Sequence, residues 1–561
     1  MSITDFFRGK VLFITGGTAF LGQPLLSKIL TALPDVEKIY LLIRGRTDTG
    51  GKRISAQERL ENELLTSDVF DSLRRLHGEN FDAWALQKLI AVEGELTHER
   101  LGFSDLAYQQ FQDEVNVFIN IAGLVQFDPP FDDSLWGNAL AAKHVVNFAK
   151  GCRDTVFLHI STAYVCGDKP GRVPEELPLP YEQYAAQHQE KTGVAMPETL
   201  SDEIEGLLSL STEIRAEADS PENMAHFQRE AEQQQKSTGA RKALATQIEE
   251  LKAEWLENRL VEEGLKHARS RGWNDTYTYM KFLAEQVVME LRGDLPTAII
   301  RPSIIESSFS EPEPGWLGGF RMCEPLIVGF GKGRLPDFPA DPDIILDIVP
   351  VDFVVNAILA AAEATAKHGG IEVYHVATGT QNPLYFRGIF EATYEYFVAY
   401  PMLEDGKPVA VPIWKYPSLE EFQRKLDSRM RMANLVIHTL GKLPIRAAKR
   451  KRRQLALKLS GVKTLLHYIR IYAPYTRTNF EFETKKMCGL YDALSPIEQQ
   501  RFDFDVSRIH WKQYFKEIHI PGIKKHVLKL EDGARDDLET DGARSAATEQ
   551  RRTDSQGGSE A

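Results

Sequence analysis

Tyr277 and Lys281 stand four residues apart in YTYMK, a spacing that allows proton chemistry if the segment is helical. Positions i and i+4 share a helix face, so the phenol and the ammonium would point into one cleft. The lysine charge would lower the tyrosine pKa and make the phenol a better proton donor and acceptor near neutrality. A second reactive pair is Ser161-Thr162, at the end of the apolar run in VFLHISTAYVCG. One of these hydroxyls would donate to a carbonyl oxygen as negative charge develops there. Thr162 is the first choice and Ser161 the alternative; either could simply cap a strand end. Tyrosine and lysine at this spacing are common, so their meaning depends on what precedes them.

What precedes them is VLFITGGTAFLG, an apolar run that turns through glycines into a helical pattern. Gly16 would permit the tight turn and Gly22 the close approach of helix to sheet. The helix N-terminus then offers free N–H groups to a pyrophosphate. Ala19 replaces the middle glycine of the T-G-x-x-G-x-x-G pattern, placing a methyl near the phosphates. Arg44, twenty-two residues beyond Gly22 in IYLLIRGR, falls where an adenosine ribose would lie. An acid there binds a 2′-hydroxyl, whereas an arginine accommodates a 2′-phosphate, so NADPH is expected. Arg46 is a second candidate for that phosphate, and a solvated loop is the plain alternative for both arginines. Lys281 would then also hydrogen-bond the nicotinamide ribose.

These groups need a scaffold. Runs of Val, Ile, Leu and Phe at 11–15, 39–43, 89–92, 117–121 and 156–160 alternate with amphipathic stretches at 24–33 and 140–150. That rhythm predicts βαβ units, an α/β fold with a Rossmann-type doubly wound parallel sheet. Residues 170–265 are rich in Glu, Gln, Ala and Lys and read as a helical insertion, either a solvated excursion or a cap over the site. The strand pattern resumes at 297–300. Past residue 377 the sequence becomes mostly helical, and beyond 530 it has almost no large apolar side chains. The expected division is therefore 1–377 for the cofactor-binding domain, 378–530 for a helical C-terminal domain and 531–561 for a disordered tail.

The chain has 561 residues, a formal charge of −13, 43% hydrophobic and 26% charged residues, a composition that can bury a large core. The acidic balance disfavours nucleic-acid binding. Four cysteines without metal-ligand spacing suggest a reduced, intracellular protein and no metal site. The N-terminus lacks the apolar core of a signal peptide, and the longest apolar stretch, 349–362, is broken by Asp352 and Asn356. It is too short to span a bilayer. A cytoplasmic location is expected, with peripheral membrane contact through 446–470 as an option: Arg446, Lys449, Arg450, Lys451, Arg452 and Arg453 precede Leu455, Leu457, Leu459, Val462, Leu465, Leu466 and Ile469. An ordinary core helix with a basic face is the competing reading.

The combination TGGTAFLG, IYLLIRGR, VEGELTHERLG, FINIAGLVQFD, HISTAYVCG, GWNDTYTYMKFLAEQ, IRPSIIESS with PGW, and DIVPVDFVVNAI resembles the extended short-chain dehydrogenase/reductase superfamily. It resembles most finely the alcohol-forming fatty acyl-CoA reductases of bacterial type. FDFDVSRIHWKQYFKEIHIPGIKKHVLK resembles the end of that family's C-terminal domain, so the likeness runs from about residue 8 to residue 529. The resemblance implies reduction of a long-chain acyl-CoA or acyl carrier protein thioester, through an aldehyde, to a primary alcohol with two NADPH. By the same match, Thr162 (counted back from Gly167), Tyr277 and Lys281 form the catalytic set, with Ser161 beside them. Gly16, Thr18, Ala19, Phe20, Leu21 and Gly22 would line the pyrophosphate, Arg44 and Arg46 meet the 2′-phosphate, Glu95 touch the adenine, Ala122 and Gly123 flank the cofactor, and Pro302 lie near the nicotinamide. A reductase that stops at the aldehyde, or a sugar-nucleotide epimerase or dehydratase, shares the same residues. Oligomeric state is not legible.

Overall fold

Seven apolar runs form one parallel sheet: β1 Val11–Thr15, β2 Lys38–Ile43, β3 Leu89–Glu93, β4 Val117–Asn120, β5 Val156–Ile160, β6 Thr297–Pro302 and β7 Ile371–Val376. This computed structural model describes residues 2–530 except 239–242, 321, 336, 405, 442–449, 453–454, 456–458, 460–468, 470–471 and 473–474. The strand order is β7-β6-β5-β4-β1-β2-β3. β1 pairs with β2 on one side and β4 on the other, so the chain reverses its direction of winding there. The C-terminal edge at such a reversal is the ligand crevice of doubly wound sheets.

Both faces of the sheet are covered, which is why its strands read as continuous apolar runs. Leu12 and Ile14 of β1 enter one core, with helices α1 Gly22–Ala32 and α4 Val351–His368. Val11 and Phe13 enter the other, with α2 Ala141–Gly151 and α3 Thr276–Leu291. The long apolar stretch is α4, a core helix, and its two polar residues act as fasteners. Asp352 accepts the N–H groups of Phe309, Ser310 and Glu311 at 2.8, 2.8 and 3.0 Å. Asn356 donates to the Asp503 carbonyl at 2.8 Å. Among the described residues no helix is long and apolar enough to cross a membrane.

The insertion is helical, with Tyr181–Thr192, Leu200–Ala218, Pro221–Thr238 and Leu244–Ser270, but it is more than a solvated excursion. Glu203 is fully buried and receives Tyr279 (2.5 Å), His267 (2.5 Å), Arg271 (3.2 Å) and Tyr181 (3.1 Å). Burial pushes this carboxyl up, but the His267, Tyr279 and Arg271 contacts outweigh it and hold the pKa at about 2. Tyr279 lies on the opposite side of α3 from Tyr277, because two helical residues apart is about 200° of rotation. The insertion therefore buttresses the back of α3.

The C-terminal region is stitched into the same body. Phe480–Phe482 pairs in parallel with Gly171–Val173, and Ile469, Tyr472 and Tyr475 are buried in the core on the α1 and α4 side. The proposed tail and most of 446–470 lie outside the described residues. Within that segment, Arg450, Lys451 and Arg452 are exposed, Leu455 and Leu459 half-buried and Ile469 buried.

One buried ion pair sets α3 against β6: Arg301 meets Glu285 through two bonds, 2.9 and 2.6 Å, both side chains almost wholly enclosed. Removing one partner leaves the other charge buried alone, which costs about 3–5 kcal/mol. Glu285→Ala should therefore lower unfolding stability by roughly that amount, read from denaturant midpoints. A double replacement of Glu285 and Arg301 by Leu and Met should lose less than Glu285→Ala.

Candidate active site

The loop from β1 to α1 is shaped by two glycines. Gly16 has φ +73°, and a Cβ on it would lie 2.8 Å from the Ala122 nitrogen. A Cβ on Gly22 would lie 2.2 Å from the Gly16 carbonyl oxygen. Both positions thus require the residue the sequence supplies. Ala19 is exposed, and its N–H donates to the Gly16 carbonyl at 2.9 Å, closing the turn without crowding the protein. Leu21 is buried, Thr18 is half-buried, and Phe20 stacks on Trp316 with ring centroids 5.6 Å apart. Trp316, from the PGW segment, donates to Asp68 at 2.8 Å. The loop is held from outside by that stack.

Across the crevice, a buried polar chain fixes the end of β4. Thr15 donates to Asn120 (2.6 Å), the Ala122 N–H donates to Thr15 (3.2 Å), and Asn120 meets His159 Nδ1 (3.1 Å). Burial, then the Lys281 charge, lowers the His159 pKa to about 3, so this ring stays neutral. Gly123 is also tight: a Cβ there would lie 2.6 Å from Asn138 Oδ1 and 3.1 Å from Lys281 Nζ. Asn138 is held by Leu124 through both its amide atoms, each at 3.1 Å, and by Ser134 at 3.0 Å.

Asp275 caps α3, accepting the Thr278 N–H at 2.8 Å, and it also receives the hydroxyl of Tyr475 from the C-terminal region. Burial lifts this carboxyl to about 6, against the pull of the Tyr475 hydrogen bond. One turn on, Lys281 Nζ donates to the Ile160 carbonyl at 2.9 Å, at the residue preceding Ser161. Burial lowers the Lys281 pKa to about 8. Ser161 is buried, with a hydroxyl that has no partner among the described residues. Thr162 Oγ1 accepts the Tyr164 N–H at 3.3 Å, which leaves its hydrogen available to donate. The Tyr277 ring meets Phe127 edge-on at 6.0 Å.

The expectation that Lys281 would lower the Tyr277 pKa is not met in this state. Burial, then the Asp275 charge, holds the phenol well above its usual value, and Lys281 is engaged with the Ile160 carbonyl instead. Arg44 follows β2 with its side chain largely exposed, 3.4 Å from Glu95. Arg46 turns to Glu63 at 2.8 Å instead of joining Arg44. Pro302 is buried at the end of β6. The structure thus gathers the Gly16–Gly22 loop, Ala122, Gly123, Lys281, Ser161 and Thr162 at one sheet edge, with Arg44 and Glu95 together farther along it. Asn138, Asp275, Phe127 and Tyr475 were not anticipated. Only Asp275 left a local trace, an acid three residues before Thr278 at a helix start.

Tyr475 opens onto an apolar pocket. Its walls include Ile304, Cys323, Leu326, Ile327, Phe386 and Phe390, with Tyr472 and Tyr475 from the C-terminal region. Phe127 links it to the site, touching Tyr277 on one side and Tyr475, at 5.7 Å, on the other.

A loop that a side chain would fill, a free helix N-terminus and an unpartnered buried hydroxyl at a sheet switch point suit a dinucleotide. Together they define a nicotinamide-dependent oxidoreductase of the extended short-chain dehydrogenase/reductase type. Comparison with known proteins gives the family. Two family models, each described as male sterility protein, match residues 14–358 and 438–530. Fatty acyl-CoA reductase 2, chloroplastic, of Arabidopsis thaliana is 34% identical over 542 residues, covering 94% of this chain and 80% of its own. The alcohol-forming fatty acyl-CoA reductase of Simmondsia chinensis is 30% identical over 540 residues, covering 94% and 99%. The fold is shared with the terminal R domain from the myxalamid PKS-NRPS biosynthetic pathway, with TM-score 0.54 at 14% identity over 92% of this chain and 91% of that one. The chain belongs to the fatty acyl-CoA reductase family.

Gly123 tests the packing at the crevice. Gly123→Ala should weaken nicotinamide-cofactor binding by roughly tenfold or more, since the added methyl must displace Asn138 or Lys281. Gly137→Ala, whose methyl meets only ordinary contact with Leu124 at 3.5 Å, should bind as the parent does. Titration of protein fluorescence with NADPH reads both.

Proposed function

We propose that this protein reduces a long-chain fatty acyl-CoA to the primary alcohol, with NADPH as the reductant. The observation that carries the reading is the apolar wall around a cavity of about 30 Å³, which a long chain would have to widen, with Phe127 packed between it and Tyr277. A polar sugar nucleotide has no use for such a wall, whereas an acyl chain gains about 25 cal/mol for each Å² it buries. The names of the relatives support the thioester and, for one of them, the alcohol. Acyl carrier protein is the alternative carrier of the same acyl group.

Bound NADPH would supply one hydride to the thioester carbonyl carbon, and a second NADPH another to the aldehyde carbon. In this reading Thr162, with Ser161 beside it, donates to the carbonyl oxygen and stabilises the developing negative charge. Tyr277 donates the proton that completes reduction of the aldehyde to the alcohol. Lys281 holds the ribose of the cofactor and, once released from the Ile160 carbonyl, brings positive charge toward the phenol. After the first reduction the tetrahedral adduct expels the thiolate, so no acyl-enzyme is needed. Burial agrees: it raises the thiols of Cys152 and Cys166 to about 12 and that of Cys323 well above its usual value. Such thiols are poor nucleophiles. Arg44, 3.4 Å from Glu95 and largely exposed, would hold the 2′-phosphate through a charge-assisted contact.

The first test is NADPH oxidation with palmitoyl-CoA, with the products separated by chromatography; an aldehyde as the sole end product would overturn full reduction. Tyr277→Phe should abolish turnover while leaving NADPH affinity within a few-fold. Lys281 carries its proton below about pH 8 and loses it above. kcat/KM for NADPH, which reports the free enzyme, should therefore fall as pH rises through that value.

The second test addresses the cofactor. Arg44→Ala should weaken NADPH by roughly tenfold or more and leave NADH nearly unchanged. Equal losses for both would remove Arg44 from phosphate recognition.

A further inference from the structure

Behind the pocket wall at Cys323, three ligand-bearing side chains meet in the interior. Glu306 ends the short strand Ile304–Glu306, Glu324 opens the helix Glu324–Gly331, and His519 comes from the C-terminal region. All three are fully buried, and one donor atom from each lies within 4.8 Å of the others. Glu306 also accepts the Cys323 N–H at 3.2 Å, and Glu324 the Met322 N–H at 2.8 Å. These backbone bonds fix both carboxyl groups from the same turn.

The hydrogen-bond directions around His519 are forced. The Tyr514 hydroxyl donates its one hydrogen to the Ser307 carbonyl at 2.7 Å. It must then accept from the Ser307 hydroxyl, 2.9 Å away. With that hydrogen committed, Ser307 Oγ accepts from His519 Nδ1–H, also at 2.9 Å. A neutral imidazole held this way presents a bare lone pair at Nε2. That nitrogen has no hydrogen-bond partner among the described residues and stands 4.0 Å from Glu306 Oε2. The gap is too long for a hydrogen bond; a tetrahedral zinc with bonds of about 2.0–2.2 Å would draw the two atoms to roughly 3.4 Å, a closure of about half an ångström. A ring whose other nitrogen donates to a fixed oxygen is also the usual arrangement behind a metal-bound histidine.

We propose that Glu306, Glu324 and His519 bind one divalent transition-metal ion of the zinc class. The ion clamps the C-terminal region onto the chain that follows β6. Its ligands include none of the residues given a catalytic role, so the site is structural and the proposal stands apart from the substrate reading.

The experiment uses the full chain, purified without a metal-affinity step and then stripped with chelator. Zinc is titrated against a chromophoric chelator, and metal content is measured by mass spectrometry. One equivalent per chain is expected, with sub-micromolar affinity and a melting temperature that rises with zinc. Glu306→Gln, close to isosteric, should weaken binding roughly a hundredfold and abolish the zinc-dependent rise; His519→Ala should do the same, and His510→Ala, an exposed histidine, should change nothing. Absence of stoichiometric binding would overturn the proposal. So would a Glu306→Gln protein that binds zinc as the parent does, or one that melts no lower than the parent with both indifferent to zinc. That last result would mean that a proton shared between the two carboxyl groups is what the cluster holds.

Discussion

Lys281 carries its ammonium into the protein interior with a backbone carbonyl, that of Ile160, as its hydrogen-bond partner. A buried charge so sparsely partnered is costly, and the cost appears as a pKa lowered to about 8. The fold meets that cost by building around it. Gly123 stands where any side chain would strike the ammonium, Asn138 closes over Gly123, and His159 beneath stays neutral so that no second cation competes. The same contact brings α3 to the residue before Ser161 and Thr162. Donor hydroxyls and lysine therefore share one sheet edge.

Such an arrangement needs α3 to be held on every side, and each hold is a buried charge. Arg301 grips Glu285 from β6, Glu203 of the insertion takes Tyr279 from behind, and Asp275 at the helix start takes Tyr475. Buried pairs of this kind contribute little net stability compared with apolar packing, because desolvation offsets most of the attraction. What they do supply here is placement: each has its partner at a single geometry, and a shifted helix would leave several charges unpaired at once.

The sheet was legible because its strands are buried on two faces and so read as unbroken apolar runs. Gly16 and Gly22 were legible because their backbone positions admit little else. β7 was not singled out, since Ile371–Val376 includes Glu372 and His375 and interrupts the apolar pattern. The insertion read as solvated because its composition is polar, yet composition does not reveal that Glu203 is the residue turned inward. The Tyr277 pKa went wrong for a related reason. Helical spacing gives the face on which a side chain lies but not its depth, and depth dominated. Phe127, Asn138 and Tyr475 reach the site across long sequence separations and left no local mark.

Under the proposed reading, the C-terminal region supplies what the sheet lacks. An open sheet edge can hold a dinucleotide, but it offers no enclosed apolar wall for a long chain. Tyr475 supplies part of that wall, and its hydroxyl also binds Asp275, the residue that caps α3 two positions before Tyr277. Phe127 fills the space between them, touching Tyr277 and Tyr475 at once. The pocket wall and the start of α3 thus share Tyr475, with Phe127 packed between Tyr475 and Tyr277.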